Sequence, residues 1–292
     1  MHTNIGGDFQ GFSMAMYSTW IWHRPTRSMF DAGEGVSSYM RNYIFAIENI
    51  FLTHGHHDHL GGIPGVTLAR GAARGDKGKP FSVYYPDGWR KIDALKSYVS
   101  ASSSGMMCDI QWKTIEPDQE VQVDDAGKVF VRAFRVDHSR NLLCLGYSIV
   151  EKRTRLRSDL VGKTGAELAA IARTDGRDAI KEPYEQVVAV YSGDCTSVNP
   201  DHIRGANILF HEATFVNGVD MASDGGHSSV RSAIKTACEA DVDTVVLYHV
   251  STRYTIEAAR AEARKAARDF GFGGRIGTLS GFDLSEIIPE NN

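Results

Sequence analysis

The stretch FLTHGHHDHLGG, residues 51–62, packs four histidines and one aspartate into six positions, directly after an apolar run. Histidines clustered this densely are costly to hold unless they bind a cation. Neutral imidazole and carboxylate groups are standard ligands of zinc and similar ions. In extended or turning backbone, side chains two residues apart can point to the same side. His54 and His56 are therefore predicted to chelate one metal ion.

The second half of this stretch can serve a second ion. After a turn at residues 61–62, Asp58 and His59 can reach a separate metal site, while His57 occupies the variable position and is expected to point away. A polar loop of packed histidines is the alternative. The position of the cluster at the end of a strand-like segment argues against that alternative.

Two ions need more ligands than this stretch supplies. His138, Asp194 and His249 each end an apolar strand-like segment, and strand ends are where open α/β sheets build their sites. Taken alone, each also fits a core-edge histidine or a turn-forming aspartate. The first ion is predicted to bind His54, His56, His138 and Asp194, and the second Asp58, His59, Asp194 and His249. Two divalent ions about 3.5–4 Å apart activate a water molecule as hydroxide and stabilise an in-line displacement.

The overall composition is that of an ordinary soluble domain. Of 292 residues, 42% are hydrophobic and 23% charged, with a formal net charge of −4, so the chain as a whole is not a basic nucleic-acid coat. No apolar run approaches the roughly 20 residues of a membrane span, and no secretory signal is visible. The cysteines Cys108, Cys144, Cys195 and Cys238 form no CxxC pair, so a reducing cytoplasm is the expected location.

Strand-like and helical segments alternate along the chain, which predicts an α/β layered fold. Residues 14–22 are predicted to form one strand, and a helix is expected after Asp87 as its N-cap. Residues 129–138 and 142–150 are predicted to form a hairpin. A short helix is expected near 165–172, and Gly271 is predicted to close a long C-terminal helix.

The metal-binding pattern, with its later ligands in this order, resembles the metallo-β-lactamase superfamily. That resemblance implies one domain over residues 1–292, an αββα sandwich of two mixed β-sheets flanked by helices, with a dinuclear site at the edge of the sheets. Further motifs are similar to the tRNase Z group of that superfamily, whose enzymes cut the 3′ trailer from precursor tRNA. They are GIPG (62–65), FDAGEG (30–35), YSGDC (191–195), HEATF (211–215), GHSS (226–229) and HVSTRY (249–254).

The resemblance also implies catalytic roles. His227 is the candidate acid for the leaving alkoxide, and Glu212 is placed to tune or recharge it. His211 is expected to orient Glu212, and Arg253 to contact a phosphate. Asp58 can also take a proton from the attacking water. Two alternatives stay open: His227 starts the helix that follows, and Arg253 is a solvated surface charge.

Three features depart from the tRNase Z pattern. The expected Gly-Thr segment near the N-terminus is not recognisable, and Cys195 follows the bridging aspartate where threonine is usual, which predicts a packed cysteine. The segment 151–186 stands where the RNA-gripping arm is expected, but without the long flexible tip. It is predicted to be a shortened basic arm that tracks phosphates; a solvated surface hairpin is the alternative. Its predicted substrate-binding residues are Lys152, Arg153, Arg155 and Arg157.

Three functions follow as hypotheses. The first is a tRNase Z-like endoribonuclease acting on precursor tRNA through two divalent metal ions, zinc or alternatively manganese. The second, motivated by the shortened arm, is a phosphodiesterase for a small or cyclic nucleotide. The third is a non-catalytic RNA-binding scaffold, against which the intact ligand set argues. The resemblance also implies a homodimer.

Overall fold

Two mixed β-sheets pack face to face, and helices cover their outer faces. The computed structural model describes residues 5–73, 79–103, 109–216, 218, 225–281 and 283–287, so Cys108 lies outside the described residues. This is the αββα sandwich expected from the sequence. In the described part of the chain, no helix is long and apolar enough to cross a membrane.

The first sheet begins with antiparallel strands and continues with parallel ones. The pairs β1–β2 and β2–β3 are antiparallel, and the pairs from β3 to β6 are parallel. In spatial order the strands are β1 (Phe9–Met14), β2 (Ser18–His23), β3 (Ser28–Phe30), β4 (Asn49–Phe51), β5 (Phe81–Tyr85) and β6 (Ile110–Thr114).

In the second sheet a parallel centre is flanked by antiparallel strands. The pairs β10–β11, β11–β12 and β12–β13 are parallel, and the others are antiparallel. In chain order the strands are β7 (Glu120–Gln122), β8 (Val129–Val136), β9 (Cys144–Leu156), β10 (Lys181–Tyr191), β11 (Ile208–Glu212), β12 (Thr244–Tyr248), β13 (Arg275–Ser280) and β14 (Asp283–Ile287).

Helices stand between many of the strands, mostly between parallel ones. They are α1 (Ile5–Asp8), α2 (Val36–Met40), α3 (His57–Leu60), α4 (Ile63–Ala72), α5 (Arg90–Ser102), α6 (Gly165–Thr174), α7 (Val230–Glu239) and α8 (Ile256–Phe270). Buried alanines line the inner faces of α7 and α8, and such small side chains let these helices lie close to one another and to the sheet.

Aromatic side chains fill the space between the sheets. The rings of Phe30 and Phe51 of the first sheet lie 6.0 and 5.3 Å from the ring of Tyr147 in the second. Phe9 and Phe210 meet across the same layer at 5.0 Å. These rings bury large apolar areas and so account for much of the stability of the sandwich.

Two local predictions were wrong. Residues 14–22 are not one strand, because a turn at residues 15–17 separates β1 from β2. In that turn Met16 has a φ of 71° and the Tyr17 N–H donates to the Met14 carbonyl at 3.0 Å. Because apolar side chains continue through this turn, the sequence pattern did not indicate that β1 and β2 form a hairpin. Asp87 is not an N-cap: α5 begins at Arg90, and a turn at Gly88, with a φ of 86°, intervenes.

Two other predictions are confirmed. The helix expected near 165–172 is α6, whose N-cap Thr164 and Glu167 form a capping box. Gly271 closes α8 in the left-handed conformation, with a φ of 72°.

Candidate metal centre

The carboxyl ends of strands from both sheets meet at one edge of the sandwich. Parallel strands end on the same side, so the residues that follow them are brought together. Asp31 follows β3, His54 follows β4, His138 follows β8, Asp194 follows β10, Glu212 ends β11 and His249 follows β12.

Four of the predicted ligands form a first group, His54, His56, His138 and Asp194, whose ligand atoms all lie within 4.8 Å of one another. His138 Nε2 is 3.2 Å from His56 Nδ1, and His54 Nε2 is 3.8 Å from Asp194 Oδ2. Tetrahedral ligands at about 2.0–2.1 Å from an ion stand roughly 3.3–3.4 Å apart. The four atoms therefore converge at a spacing that one ion can bridge.

The remaining predicted ligands, Asp58, His59 and His249, form a second group within the same 4.8 Å limit. Asp58 Oδ2 is 3.6 Å from His59 Nε2 and 3.4 Å from His249 Nε2. Asp194 Oδ2 lies 3.2 Å from His59 Nε2 and 3.5 Å from His249 Nε2. Asp194 thus contacts both groups, as a bridging ligand must.

The unsatisfied atoms of these groups fit a bound cation. His54 Nε2, His59 Nε2 and Asp194 Oδ1 are buried without a hydrogen-bond partner. Such atoms destabilise a fold unless something binds them. Because all three belong to the two ligand groups, divalent metal ions are the partners that their chemistry favours.

The pKa values of the clustered histidines also favour metal binding. Burial lowers the pKa of His56 to about 4 and that of His54 well below its usual value, which leaves these rings neutral, the form that binds metals. Burial also lowers the pKa of His59, but the carboxylates of Asp194 and Asp31 outweigh it and raise that pKa well above the usual value. The second group thus favours a positive charge, which a metal ion would supply.

Neighbouring acceptors orient four of the histidine rings. Each Nδ1 lies 2.7–2.9 Å from an oxygen, and the pairs are His54 with Thr53 Oγ1, His59 with Asp31 Oδ2, His138 with the Gly226 carbonyl and His249 with Thr214 Oγ1. In a neutral ring, donation from Nδ1 leaves Nε2 unprotonated and directed at the metal groups. This network fixes the ring orientation before any ion binds.

Asp31 is central to this network, and sequence reasoning did not single it out. It is fully buried and accepts hydrogen bonds from His59, from the backbone and hydroxyl of Thr53, and from the Tyr191 hydroxyl at 2.8 Å. Its φ of 55° is unusual for a residue with a side chain. The available signal was a charged residue directly after the apolar strand 28–30.

Trp89 was also missed. Its ring lies edge-on to His54 at 5.7 Å and to His56 at 5.5 Å, and its indole N–H donates to the Leu143 carbonyl at 2.7 Å. This buried ring forms an apolar wall beside the first group. Nothing in the sequence near residue 89 pointed to the metal centre, because the contact depends on how α5 packs.

Glu212 and His227 form a pair beside the metal groups. His227 Nδ1 lies 3.0 Å from Glu212 Oε1 and 3.9 Å from Asp194 Oδ2. The Glu212 carboxylate also accepts from the backbone N–H groups of Cys195, Thr214 and Ser228. His227 is 18% exposed, whereas Glu212 is buried. A buried carboxylate thus holds a histidine that water or substrate can reach.

The remaining candidates lie outside the metal groups. His211 is fully buried, and its Nδ1 donates to the Glu212 carbonyl at 2.7 Å; this contact can position the strand end. Arg253 is exposed, and its backbone N–H donates to Ser251 Oγ at 3.4 Å. His57 is exposed, as expected. Cys195 is packed in the core, where burial raises its pKa well above the usual value.

The segment 151–186 is an extension of β9 and β10 beyond the rest of the sheet, with α6 at its tip. Over its full length it carries eight Lys and Arg against seven Asp and Glu. Each predicted RNA-binding side chain lies in an ion pair, Lys152 with Glu120, Arg153 with Glu151, Arg155 with Glu182 and Arg157 with Asp159. Acids on other strands supply two of these partners, which counting along the local sequence overlooked.

Comparisons with known proteins agree with the fold and the metal-binding pattern described above. Residues 26–160 match the beta-lactamase superfamily domain. The chain is 31% identical over 267 residues to ribonuclease Z of Natronomonas pharaonis, covering 84% of each chain. It is also 31% identical over 261 residues to ribonuclease Z of Listeria monocytogenes, covering 81% of this chain and 82% of that one.

Solved structures share the fold. Human tRNase Z, short form, superposes with a TM-score of 0.64 at 21% identity, covering 97% of this chain and 99% of that one. A metallo-beta-lactamase fold protein from Bacillus subtilis gives a TM-score of 0.64 at 16% identity, covering 94% and 98%. With relatives at 31% identity along most of its length, this chain belongs to the ribonuclease Z family.

Proposed function

We propose that this protein is a metal-dependent endoribonuclease that removes the 3′ trailer from precursor tRNA. The observation that carries the proposal is the joint geometry of the two ligand groups sharing Asp194 and the Glu212–His227 pair beside them. Phosphodiester hydrolysis needs charge stabilisation at phosphorus and an acid for the leaving alkoxide. The named relatives, all called ribonuclease Z, favour RNA as the substrate.

The proposal includes two divalent ions, zinc by preference and manganese as an alternative. The first would be held by His54, His56, His138 and Asp194, and the second by Asp58, His59, Asp194 and His249. When bound, such ions supply Lewis-acid stabilisation to the phosphoryl oxygens and make a nucleophile available near neutral pH. Imidazole and carboxylate ligands suit both metals.

The side chains perform the proton transfers. His227, with Nδ1 held by Glu212, delivers a proton to the leaving alkoxide, and the buried Glu212 carboxylate stabilises the protonated ring. Asp58 receives a proton from the attacking water. Burial by itself raises the pKa of Asp58, but the His249 hydrogen bond and His59 lower it to about 2, so the carboxylate is ionised. Arg253, exposed next to the site, binds a substrate phosphate.

The arm supplies the remaining RNA contacts in this proposal, through Lys152, Arg153, Arg155 and Arg157. Their ion pairs are exposed, and such pairs contribute little to stability. RNA phosphates can therefore compete for these side chains. The proposal also includes a homodimer and a cytoplasmic location; light scattering on the purified protein tests the first.

A small or cyclic nucleotide phosphodiester is the second candidate substrate. The nearly balanced charge of the arm favours it, because an arm of eight basic and seven acidic residues attracts a polyanion only weakly. A non-catalytic scaffold is the third hypothesis. The clustered ligands and their orienting network argue against it, since a binding scaffold needs neither.

Cleavage of precursor tRNA by metal-loaded protein tests the proposal. The expected result is a single cut near the discriminator base, almost abolished by Asp194→Ala and strongly reduced by His227→Ala. Asp125→Ala changes an exposed carboxylate and serves as the matched control. If the RNA stays intact while a chromogenic phosphodiester is hydrolysed, the small-substrate alternative replaces the proposal. Full activity of Asp194→Ala would contradict the two-ion arrangement.

A further inference from the structure

Trp89 stands where two segments that carry ligands of the first metal group meet. It follows β5 as the N-cap residue of α5 and is only 5% exposed. One segment, residues 54–56, carries two of the ligand histidines, and the other, the loop 137–143 between β8 and β9, carries His138. An indole has a hydrogen-bond donor but no metal-ligating atom. Any role of Trp89 at the metal centre is therefore exerted through its neighbours.

The indole ring packs directly on the first of these segments. A Cβ added to Gly55 would lie 2.5 Å from Trp89 Cε3 and 2.8 Å from Trp89 Cδ2, so position 55 has room only for glycine. The ring also lies edge-on to the rings of His54 and His56, at 5.7 and 5.5 Å between centroids. The backbone of this segment and both of its ligand rings thus contact one rigid side chain.

The same side chain bonds to the second segment. The indole N–H donates to the Leu143 carbonyl at 2.7 Å, directly before β9 begins. His138, five residues earlier in this loop, has its Nε2 3.2 Å from His56 Nδ1, which suits two ligands of one ion. Trp89 therefore links the two segments that must converge to bind the first ion.

His56 depends on packing more than the other ligand histidines do. Oxygen atoms within hydrogen-bond distance orient the rings of His54, His59, His138 and His249. Among the residues that the structure describes, no protein oxygen bonds to the His56 ring, whose Nδ1 faces His138. Its ring is held instead by packing on Trp89 and on the rings of His54 and His138.

We infer that Trp89 is a positioning residue of the first metal group, which holds residues 54–56 and the loop 137–143 in the arrangement that one ion requires. This role rests on the two-ion arrangement of the proposed function and deepens it, because binding of one ion then depends on a side chain that ligates no metal. Asp31 and Thr214 orient the histidines of the second group. Replacement of Trp89 should therefore act on the first ion.

Zinc affinities measured by competition with a chromophoric chelator test this role. Trp89→Phe keeps an aromatic ring but removes the indole N–H, and Trp89→Leu removes the ring as well. Each change is made in His249→Ala protein to measure the first ion and in His56→Ala protein to measure the second, with Trp89 intact as the reference. The first ion is expected to bind about 10-fold more weakly in Trp89→Phe and about 100-fold more weakly in Trp89→Leu, the range for residues that orient ligands. The second ion should bind as in the reference.

Gly55 provides an independent measurement of the same contact. In Gly55→Ala the new Cβ meets the indole ring, so this change should also weaken binding of the first ion. The losses from Gly55→Ala and Trp89→Leu should not multiply in the double variant, because both changes act on one contact. Trp112→Phe, which removes the half-buried indole of β6, is the matched control and should bind both ions like the parent.

Unchanged affinity for the first ion would overturn the inference. Equal weakening of both ions would overturn it too, because Trp89 would then support only the fold, as would losses that multiply. Trp89→Phe, which keeps a ring, decides the result if Trp89→Leu does not fold. Parent protein that binds no divalent ion would contradict the proposed function itself, a separate outcome from two bound ions that do not respond to the Trp89 substitutions.

Discussion

At the scale of single residues, the orientation of the candidate ligands depends on acceptors that lie outside the two ligand groups. Asp31 receives the Nδ1 proton of His59 and also bonds to Thr53, whose hydroxyl contacts His54. One carboxylate thus positions a ligand of each metal group. Orienting acceptors of this kind typically change metal affinity by 10- to 100-fold when they are replaced.

We therefore expect Asp31→Asn to weaken metal binding by about 10- to 100-fold. Asparagine tolerates the left-handed backbone of this position, so the change removes charge without forcing a new backbone conformation. Competition with a chromophoric chelator measures the affinity. Asp125→Asn, at an exposed site, should bind metal like the parent. Equal affinities for Asp31→Asn and the parent would show that Asp31 does not support the ligands.

His23 gives a prediction for the pH dependence of stability. Its ring is buried against Phe9, with centroids 4.6 Å apart, and burial lowers its pKa to about 4. Between pH 4 and the unfolded pKa of about 6.5 the unfolded chain binds a proton that the folded chain does not. The stability that depends on a neutral His23 is fully present above pH 6.5 and is lost as the pH falls towards 4.

As the pH falls from 7 to 4.5, protonation of His23 in the unfolded chain should therefore lower the free energy of unfolding of the parent by about 2 to 3 kcal/mol. The pKa of His56 is also lowered to about 4, so the comparison is with His23→Gln, which lacks the His23 protonation. Denaturant unfolding at both pH values measures the difference. Parallel pH profiles for the two proteins would contradict a buried, neutral His23.

At the scale of elements, the stretch 54–62, which carries four candidate ligands, is placed by close backbone contact with the segment after β3. A Cβ on Gly62 would lie 2.2 Å from the Gly33 carbonyl oxygen, a distance no side chain tolerates. We expect Gly62→Ala to destabilise the protein by about 1–3 kcal/mol, the usual scale of overpacking. Denaturant unfolding checks this value. Gly165→Ala, where an added Cβ meets nothing within 4 Å, should unfold like the parent.

The arm provides the second prediction at this scale. Arg155 pairs with Glu182 across the β9–β10 hairpin at 2.8 Å. If it contacts a phosphate, Arg155→Ala should reduce the slope of log K for RNA against log salt by about 0.7–0.9. Fluorescence titrations with precursor tRNA at several salt concentrations measure the slope. Arg264→Ala, on the exposed face of α8, is the control, and an unchanged slope in Arg155→Ala would exclude Arg155 from RNA binding.

The features that the sequence predicted correctly are those that a local sequence pattern specifies. His and Asp residues at the ends of apolar strands can be recognised directly in the sequence. The sequence therefore indicated the candidate ligands that the fold brings together. Asp31 also directly follows an apolar strand, but its role, like that of Trp89, depends on contacts with other elements that no local pattern reveals. The ion pairs of Lys152 with Glu120 and of Arg155 with Glu182 were hidden for the same reason, since each joins neighbouring strands.

At the scale of the whole molecule, the candidate metal centre lies where the two sheets meet. The first sheet supplies Asp31 and the loop after β4, while the second supplies His138, Asp194 and His249. Ions bound between these groups would therefore tie one half of the sandwich to the other. The aromatic layer, the contact of Ser13 with Gly281 and hydrogen bonds such as that from the Tyr191 hydroxyl to Asp31 also hold the halves together.

Metal removal should accordingly lower the stability of the entire fold. A ligand present at 100 times its Kd stabilises the folded state by about 2.7 kcal/mol, which corresponds to roughly 4 °C in Tm for a chain of 292 residues. Calorimetry with and without a chelator measures the shift. Asp194→Ala, which removes the residue common to both groups, should show little response to the chelator. Identical Tm values for metal-loaded and chelated parent protein would mean that the buried atoms His54 Nε2, His59 Nε2 and Asp194 Oδ1 are not satisfied by metal.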